Sequence, residues 1–215
     1  MPAPKSAKRP KTPKTPAYDV HPGVAMMKKW ADELPAKTGR SLDQWAALVS
    51  ASGIDGRKDR VAFLKQEHDF GSNTACFIVD YAADRHSWDG DPRVYLAQAV
   101  KYVEDMFAGP KATLRPIFEQ LMAEARKLGA HVKVCPCKTI VPFYRQRVFA
   151  EVKPATKTRL ELSFALQGVP FGGILKRNPR ADEKDRLKHQ IHLATPADVT
   201  PEVLKWLRTA HDQDA

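Results

Sequence analysis

Three short motifs hold side chains able to do chemistry. Cys135-Pro136-Cys137 places two thiols two residues apart, which on a strand puts both on one face, with His131 close by in sequence. A structural zinc site takes four ligands, as a rule from Cys-x-x-Cys pairs. The third cysteine, Cys76, lies far off in a helical region, so plain burial is the expected fate of the pair. His189 and His192 are three apart in a segment that alternates like a strand. They point to opposite faces and are not expected to chelate. Glu151-Val152-Lys153 matches one half of the acid–lysine arrangement in which a carboxylate holds Mg²⁺ and a lysine polarises water. That chemistry needs a second carboxylate on a neighbouring strand, and residues 131–149 contain neither Asp nor Glu. Glu151 and Lys153 are therefore expected on a solvated strand face. Gly168-Val169-Pro170-Phe171-Gly172-Gly173 lacks a phosphate-loop lysine, and no His-Glu-x-x-His or Gly-x-Ser-x-Gly occurs. The expectation is a chain without metal or cofactor that binds rather than catalyses, with a pocket enzyme lacking any local signature as the alternative.

Charge gives a more positive signal. The 215 residues carry a net charge of +10, unevenly spread. Residues 1–20 hold Lys5, Lys8, Arg9, Lys11 and Lys14 against the single acid Asp19, interleaved with proline and almost no apolar residue. Such a segment cannot offset its ordering entropy by burial and is expected to be a disordered tail, either solubilising or an arm for a polyanion. Residues 21–108 sum to −2, and residues 133–188 to +8. In that basic band Arg145 and Arg147 flank an expected hairpin tip beside Tyr144, and Lys153 and Lys157 flank the next turn. Basic tips with an adjacent aromatic can hold a phosphate backbone and stack a base. Solvated charges that deter edge pairing are the other reading.

The elements that must position these groups are read from periodicity and punctuation. A helix is expected over 24–34, stopped by Pro35. Ser41 with Gln44 is a capping box opening a helix with Leu42, Trp45, Ala46 and Val49 in register. Gly53 ends it. Further helices are expected over 57–68, from Ser72 through Tyr81, over 92–108 and over 114–128. Then the period changes. Several strands are expected between Val132 and Phe149, and 159–166 alternates strictly, as a half-buried antiparallel strand does. His189, Ile191 and Leu193 mark another strand, and Thr200-Pro201-Glu202 opens a last helix. The loop 176–186 has almost no apolar content and is expected to be exposed and mobile.

The fold class expected is α+β: a tail over 1–20, a small N-terminal helical module over 21–88, and an α+β domain over 92–215 with an antiparallel sheet packed by helices. Gly39-Arg40-Ser41-Leu42-Asp43-x-Trp45, followed by Val61-x-x-Leu64-Lys65-x-Glu67-His68-x-x-Gly71, resembles a helical bacterial family, domain of unknown function 4287. Where that family carries a second histidine and an asparagine, this chain has Ser72 and Cys76. Val103-Glu104-Asp105-Met106-Phe107-x-Gly109-Pro110-Lys111, with Lys138-Thr139, Phe143, Phe149-Ala150 and Pro196-Ala197-Asp198-Val199, is similar to a second, domain of unknown function 5655. The resemblance implies a tandem arrangement found beside restriction-type nucleases and is silent on activity.

Three function classes follow. The first is a non-enzymatic protein contacting nucleic acid or another polyanion through the tail and the residues Lys138, Tyr144, Arg145, Arg147, Lys153, Lys157 and Arg159. The second is a pocket for a small anionic ligand between Lys138, Tyr144 and Arg159. The third is a protein-interaction adaptor built on the helical module, whose negative charge argues against a DNA-reading helix. Three cysteines argue for a reducing compartment. With no long apolar run and no secretory signal, a cytoplasmic location without membrane contact is expected.

Overall fold

A computed structural model describes residues 18–83 and 91–215. The tail bases Lys5, Lys8, Arg9, Lys11 and Lys14 lie outside these residues, as does the Asp89-Gly90 break.

Helix α1 (Pro22–Thr38) starts where His21 Nδ1 accepts the Gly23 N–H at 2.9 Å. It runs through Pro35 for one more turn and ends at Gly39, whose φ of 72° closes the helix. Proline does not stop it because that last turn is fixed from outside. The Thr38 hydroxyl donates to the Leu34 carbonyl and accepts the indole N–H of Trp45 at 2.8 Å. The capping box forms as the sequence predicts, with reciprocal bonds between Ser41 and Gln44, and opens α2 (Leu42–Ala51). Helices α3 (Arg57–Glu67) and α4 (Ser72–Ala83) complete the module. Leu34, Trp45, Val49, Leu64, Phe77 and Ile78 form its core, with His68 and Phe70 edge-on to the Trp45 ring.

The second core is shared by α5 (Pro92–Met106), a 3-10 turn (Gly109–Leu114), α6 (Arg115–Arg126), α7 (Pro201–Asp212) and one face of a sheet. The strands are β1 (Lys133–Val134), β2 (Val141–Tyr144), β3 (Val148–Pro154), β4 (Leu160–Phe164), β5 (Lys176–Arg177) and β6 (His189–Leu193). They pair antiparallel in the order β1-β2-β3-β4-β6-β5, an α+β arrangement. Ala150, Val152, Leu160, Leu162, Phe164, Ile191 and Leu193 line the apolar face, against Ile117, Leu121, Val203 and Leu207. Tyr18 and Val24 belong to this second core, so α1 begins against the sheet domain and ends in the helical module. Asp19 pairs with Val134 through both its backbone N–H and its carboxylate, which occupies the β1 edge.

Strand β4 departs from the half-buried expectation. Its second face is also covered: Glu161 and Ser163 are each 3% exposed. The cover is supplied by the segment 178–187, which sequence reading places in solvent. Asn178 is buried and donates to the Leu187 carbonyl, and Arg180 reaches down to Glu161. An apolar residue would be the usual occupant of such a position, so polar side chains here mark a face built for something other than core packing.

Replacing Ser41 by Ala removes one half of the capping box and should cost about 1 kcal/mol of unfolding free energy, measured by urea denaturation. An unchanged midpoint would mean that α2 is held by packing alone.

Candidate functional site

The polar face of the sheet is built by register. Glu151 on β3 stands opposite Ser163 on β4, and Lys153 opposite Glu161; Ser163 in turn meets Gln190 on β6, and Glu161 meets His192. Gln190 donates to the Ser163 hydroxyl, and its amide oxygen lies 2.9 Å from His192 Nε2. Glu161 is held by two guanidinium groups, those of Arg159 and Arg180. The Glu151 carboxylate has no hydrogen-bond or ion-pair partner among the described residues.

Glu151 lines a cleft of about 550 Å³. Its walls are the start of α1 at Pro22, the β2–β3 tip from Tyr144 to Val148, and the segment from Asn178 to Leu187 that carries Arg180 and Arg186. The volume lies in the range of small-ligand sites. Burial raises the Glu151 carboxyl above its ordinary value, although Lys153 and Arg180 pull the other way.

Tyr144 sits at the cleft wall with its hydroxyl 2.9 Å from His21 Nε2. Burial lowers the His21 pKa, so the ring is neutral at neutral pH. Its Nδ1 already accepts the Gly23 N–H, so the single ring proton is on Nε2 and is donated to Tyr144. The tyrosine O–H is thereby left as a donor for whatever enters the cleft. Burial pushes the Tyr144 hydroxyl up to about 12, so it does not ionise near neutral pH.

Arg147 and Arg186 are held by Asp214, whose side chain is 1% exposed. Its carboxylate accepts the backbone N–H groups of Gln146 (3.1 Å) and Arg147 (2.7 Å) and a bond from Arg186 at 2.9 Å. Burial alone would raise its pKa, but the Arg147 and Gln146 amides and Arg186 outweigh it and hold the carboxyl below the usual range. The Arg147 guanidinium, 3.5 Å from Asp214, is mostly exposed.

Of the seven sheet-domain residues singled out from sequence, Tyr144 and Arg147 line the cleft. Arg145 turns back to donate to the His211 carbonyl. Lys138 is exposed in the β1–β2 turn and Lys157 in the β3–β4 turn, at the end of the sheet opposite the β2–β3 tip. Arg159 is engaged with Glu161 near that same far end, and Lys153 is half-buried opposite Glu161. Lys138 and Arg159 thus do not join Tyr144 in one pocket. Sequence reading missed Glu151, which it assigned to solvent, and His21, Asn178 and Asp214. Arg180 and Arg186 were visible only as members of a basic band.

The acid–lysine motif does meet a second acid, Glu161, on the strand that follows it and diagonal to Glu151. That carboxylate is already tied to two arginines. No cluster of three or more metal-ligating side chains occurs among the described residues. Cys135 is buried and Cys137 half-buried; burial pushes the thiols up to about 12 and about 11, which keeps both protonated. His131 lies with its Nε2 2.8 Å from His211 Nε2. His189 contacts the Val169 carbonyl. No helix among the described residues is long and apolar enough to cross a membrane.

Glu151→Gln gives a signed test of this geometry. The carboxyl pKa is raised in the folded state, so its charge opposes folding once pH exceeds the folded value, and the penalty vanishes below the unfolded value of 4.5. The variant should be more stable than the parent at pH 7, by on the order of 1 kcal/mol, with the gain fading toward pH 4. Thermal melts across pH measure it, and a loss of stability at pH 7 would mean that the carboxylate is partnered.

Nothing among the curated proteins and nothing among the solved structures matches the chain. Two family models do, in tandem: Domain of unknown function (DUF4287) over residues 27–84 and Domain of unknown function (DUF5655) over residues 103–214. The second match covers the sheet, α6, α7, the end of α5 and all of the cleft except the start of α1, and by it the chain belongs to the DUF5655 family.

Proposed function

We propose that this chain is a non-enzymatic binding protein whose sheet domain holds a phosphate-bearing ligand in the cleft, and that nucleic acid supplies the phosphate. The observation that carries this reading is the convergence of Arg147, Arg180 and Arg186 on one cavity beside the free hydroxyl donor of Tyr144. Guanidinium groups bind phosphate bidentately, and a neighbouring aromatic can stack a base. Each arginine is partly compensated by Asp214 or Glu161, which fixes its position without filling its donors.

A strand rather than a single nucleotide is favoured by a second cleft of about 540 Å³ across the same segment. It shares Asp185 and Arg186 with the first and is bordered by Arg177, Lys184, Lys188 and the exposed ring of Phe171. A chain crossing Arg186 would meet an aromatic on each side. The net charge of +10 supports long-range attraction of the same ligand. The small-ligand reading keeps one favouring observation, the unpartnered Glu151 in a cavity of nucleotide-binding size.

Fluorescence anisotropy with labelled single-stranded DNA and RNA over a salt series, set beside ribose 5-phosphate titrations, distinguishes these sources. Micromolar binding that weakens steeply with salt is expected for the strand. Arg147→Gln and Arg180→Gln should each weaken it about tenfold and flatten the salt slope by about 0.7 per lost contact. Deleting residues 1–17 apportions the contribution of the tail and leaves Tyr18 in the core. Equal affinity for ribose 5-phosphate and the strand would select the small-ligand reading. No binding at low salt, or binding indifferent to both substitutions, would overturn the proposal.

A further inference from the structure

The phosphate reading leaves Glu151 unexplained. An acid at the floor of an arginine-lined cleft repels the anion that the arginines attract. Its retention there calls for a ligand that also brings hydrogen-bond donors. A free carboxylate accepts through two oxygens side by side, so its best partner presents two parallel N–H groups. Among phosphate-bearing nucleotides, guanine does so on its base-pairing edge, with a ring N–H next to an exocyclic amine. Adenine and cytosine offer an exocyclic amine beside an acceptor nitrogen. Uracil and thymine offer one N–H between two carbonyls, which face a carboxylate unfavourably.

We propose that Glu151 reads the base-pairing edge of a guanine nucleotide whose phosphate lies on the arginines of the cleft. The assignment rests on the phosphate reading above. The surroundings are consistent with it. Glu161, the other acid of this sheet face, is occupied by Arg159 and Arg180. Asp185 lines the cleft on the covering segment, where its carboxylate accepts the Asp182 N–H. Glu151 is thus the acceptor left open on the sheet floor. Tyr144 stands in the same cavity, its O–H free to donate to a phosphate or sugar oxygen. The edge is reachable only when it is unpaired, so the ligand is a free nucleotide or an unpaired residue of a strand.

Isothermal titration of the full chain with GMP, IMP, AMP, UMP and ribose 5-phosphate tests this. GMP should bind at least tenfold more tightly than AMP or UMP, with IMP, which lacks the exocyclic amine, in between. Glu151→Gln and Glu151→Ala should abolish the GMP-over-AMP ratio without weakening ribose 5-phosphate, which should bind as tightly as before or severalfold more tightly because a repelling charge is removed. Arg147→Gln should weaken all the nucleotides alike. Ribose 5-phosphate binding without any base preference, or a preference that survives both Glu151 variants, would overturn the guanine assignment and leave the phosphate reading standing. Failure of every compound, ribose 5-phosphate included, would overturn the guanine assignment, and together with failure of the strand at low salt it would overturn the phosphate reading as well.

Discussion

The Asp214 carboxylate ties together the parts of the structure that form the cleft. It sits just beyond α7, which packs on the apolar face of the sheet. From there it receives two backbone N–H groups of the β2–β3 tip and the guanidinium of Arg186 from the covering segment. A buried carboxylate is stable only when its oxygens are saturated with donors, and these donors come from places far apart in the chain. The bond network therefore fixes the hairpin tip relative to the covering segment. It also sets the Arg147 and Arg186 side chains beside one another, where like charges alone would not settle.

The second constraint is the covered polar face. A sheet whose one side packs on helices normally leaves its other side to water. Here Glu161, Ser163 and Gln190 are buried under a polar segment, and their hydrogen bonds return little net stability for the desolvation they require. Arrangements of this kind persist where function selects them, and stability is made up elsewhere. The apolar face supplies it: Phe143, Phe149, Phe164, Leu160, Leu162 and Leu193 are all fully buried. The roles of the two faces are thus separate, one holding the fold and the other carrying polar groups, of which Tyr144 and Glu151 line the cleft.

Much of the architecture was legible because its signals are local. The reciprocal bonds of Ser41 and Gln44, the alternation of 160–164 and the Thr200-Pro201 helix start each depend on residues within four positions. Pro35 misled because the turn beyond it is held by Trp45, a non-local partner. The polar cover of β4 was invisible for the same reason: Arg180 lies 19 residues from Glu161. Successive hairpins turn at opposite ends of a sheet, so the tip near Tyr144 and the turn at Lys157 had to fall apart once β2, β3 and β4 were accepted as neighbours. Glu151 is hidden in the sequence because residues 131–149 before it hold no acid, whereas the nearest second acid comes after it, on β4.

The central claim is that phosphate is held in the cleft between the β2–β3 tip and the covering segment. Amide chemical-shift mapping of the ¹⁵N-labelled chain, titrated with a short single-stranded oligonucleotide, tests it most directly. The account predicts that the largest changes fall on Gln146, Arg147, Glu151, Asn178, Arg180 and Arg186, with Lys138 and Lys157 little affected. Changes confined to the Lys138 and Lys157 end of the sheet, or to the helical module, would contradict it.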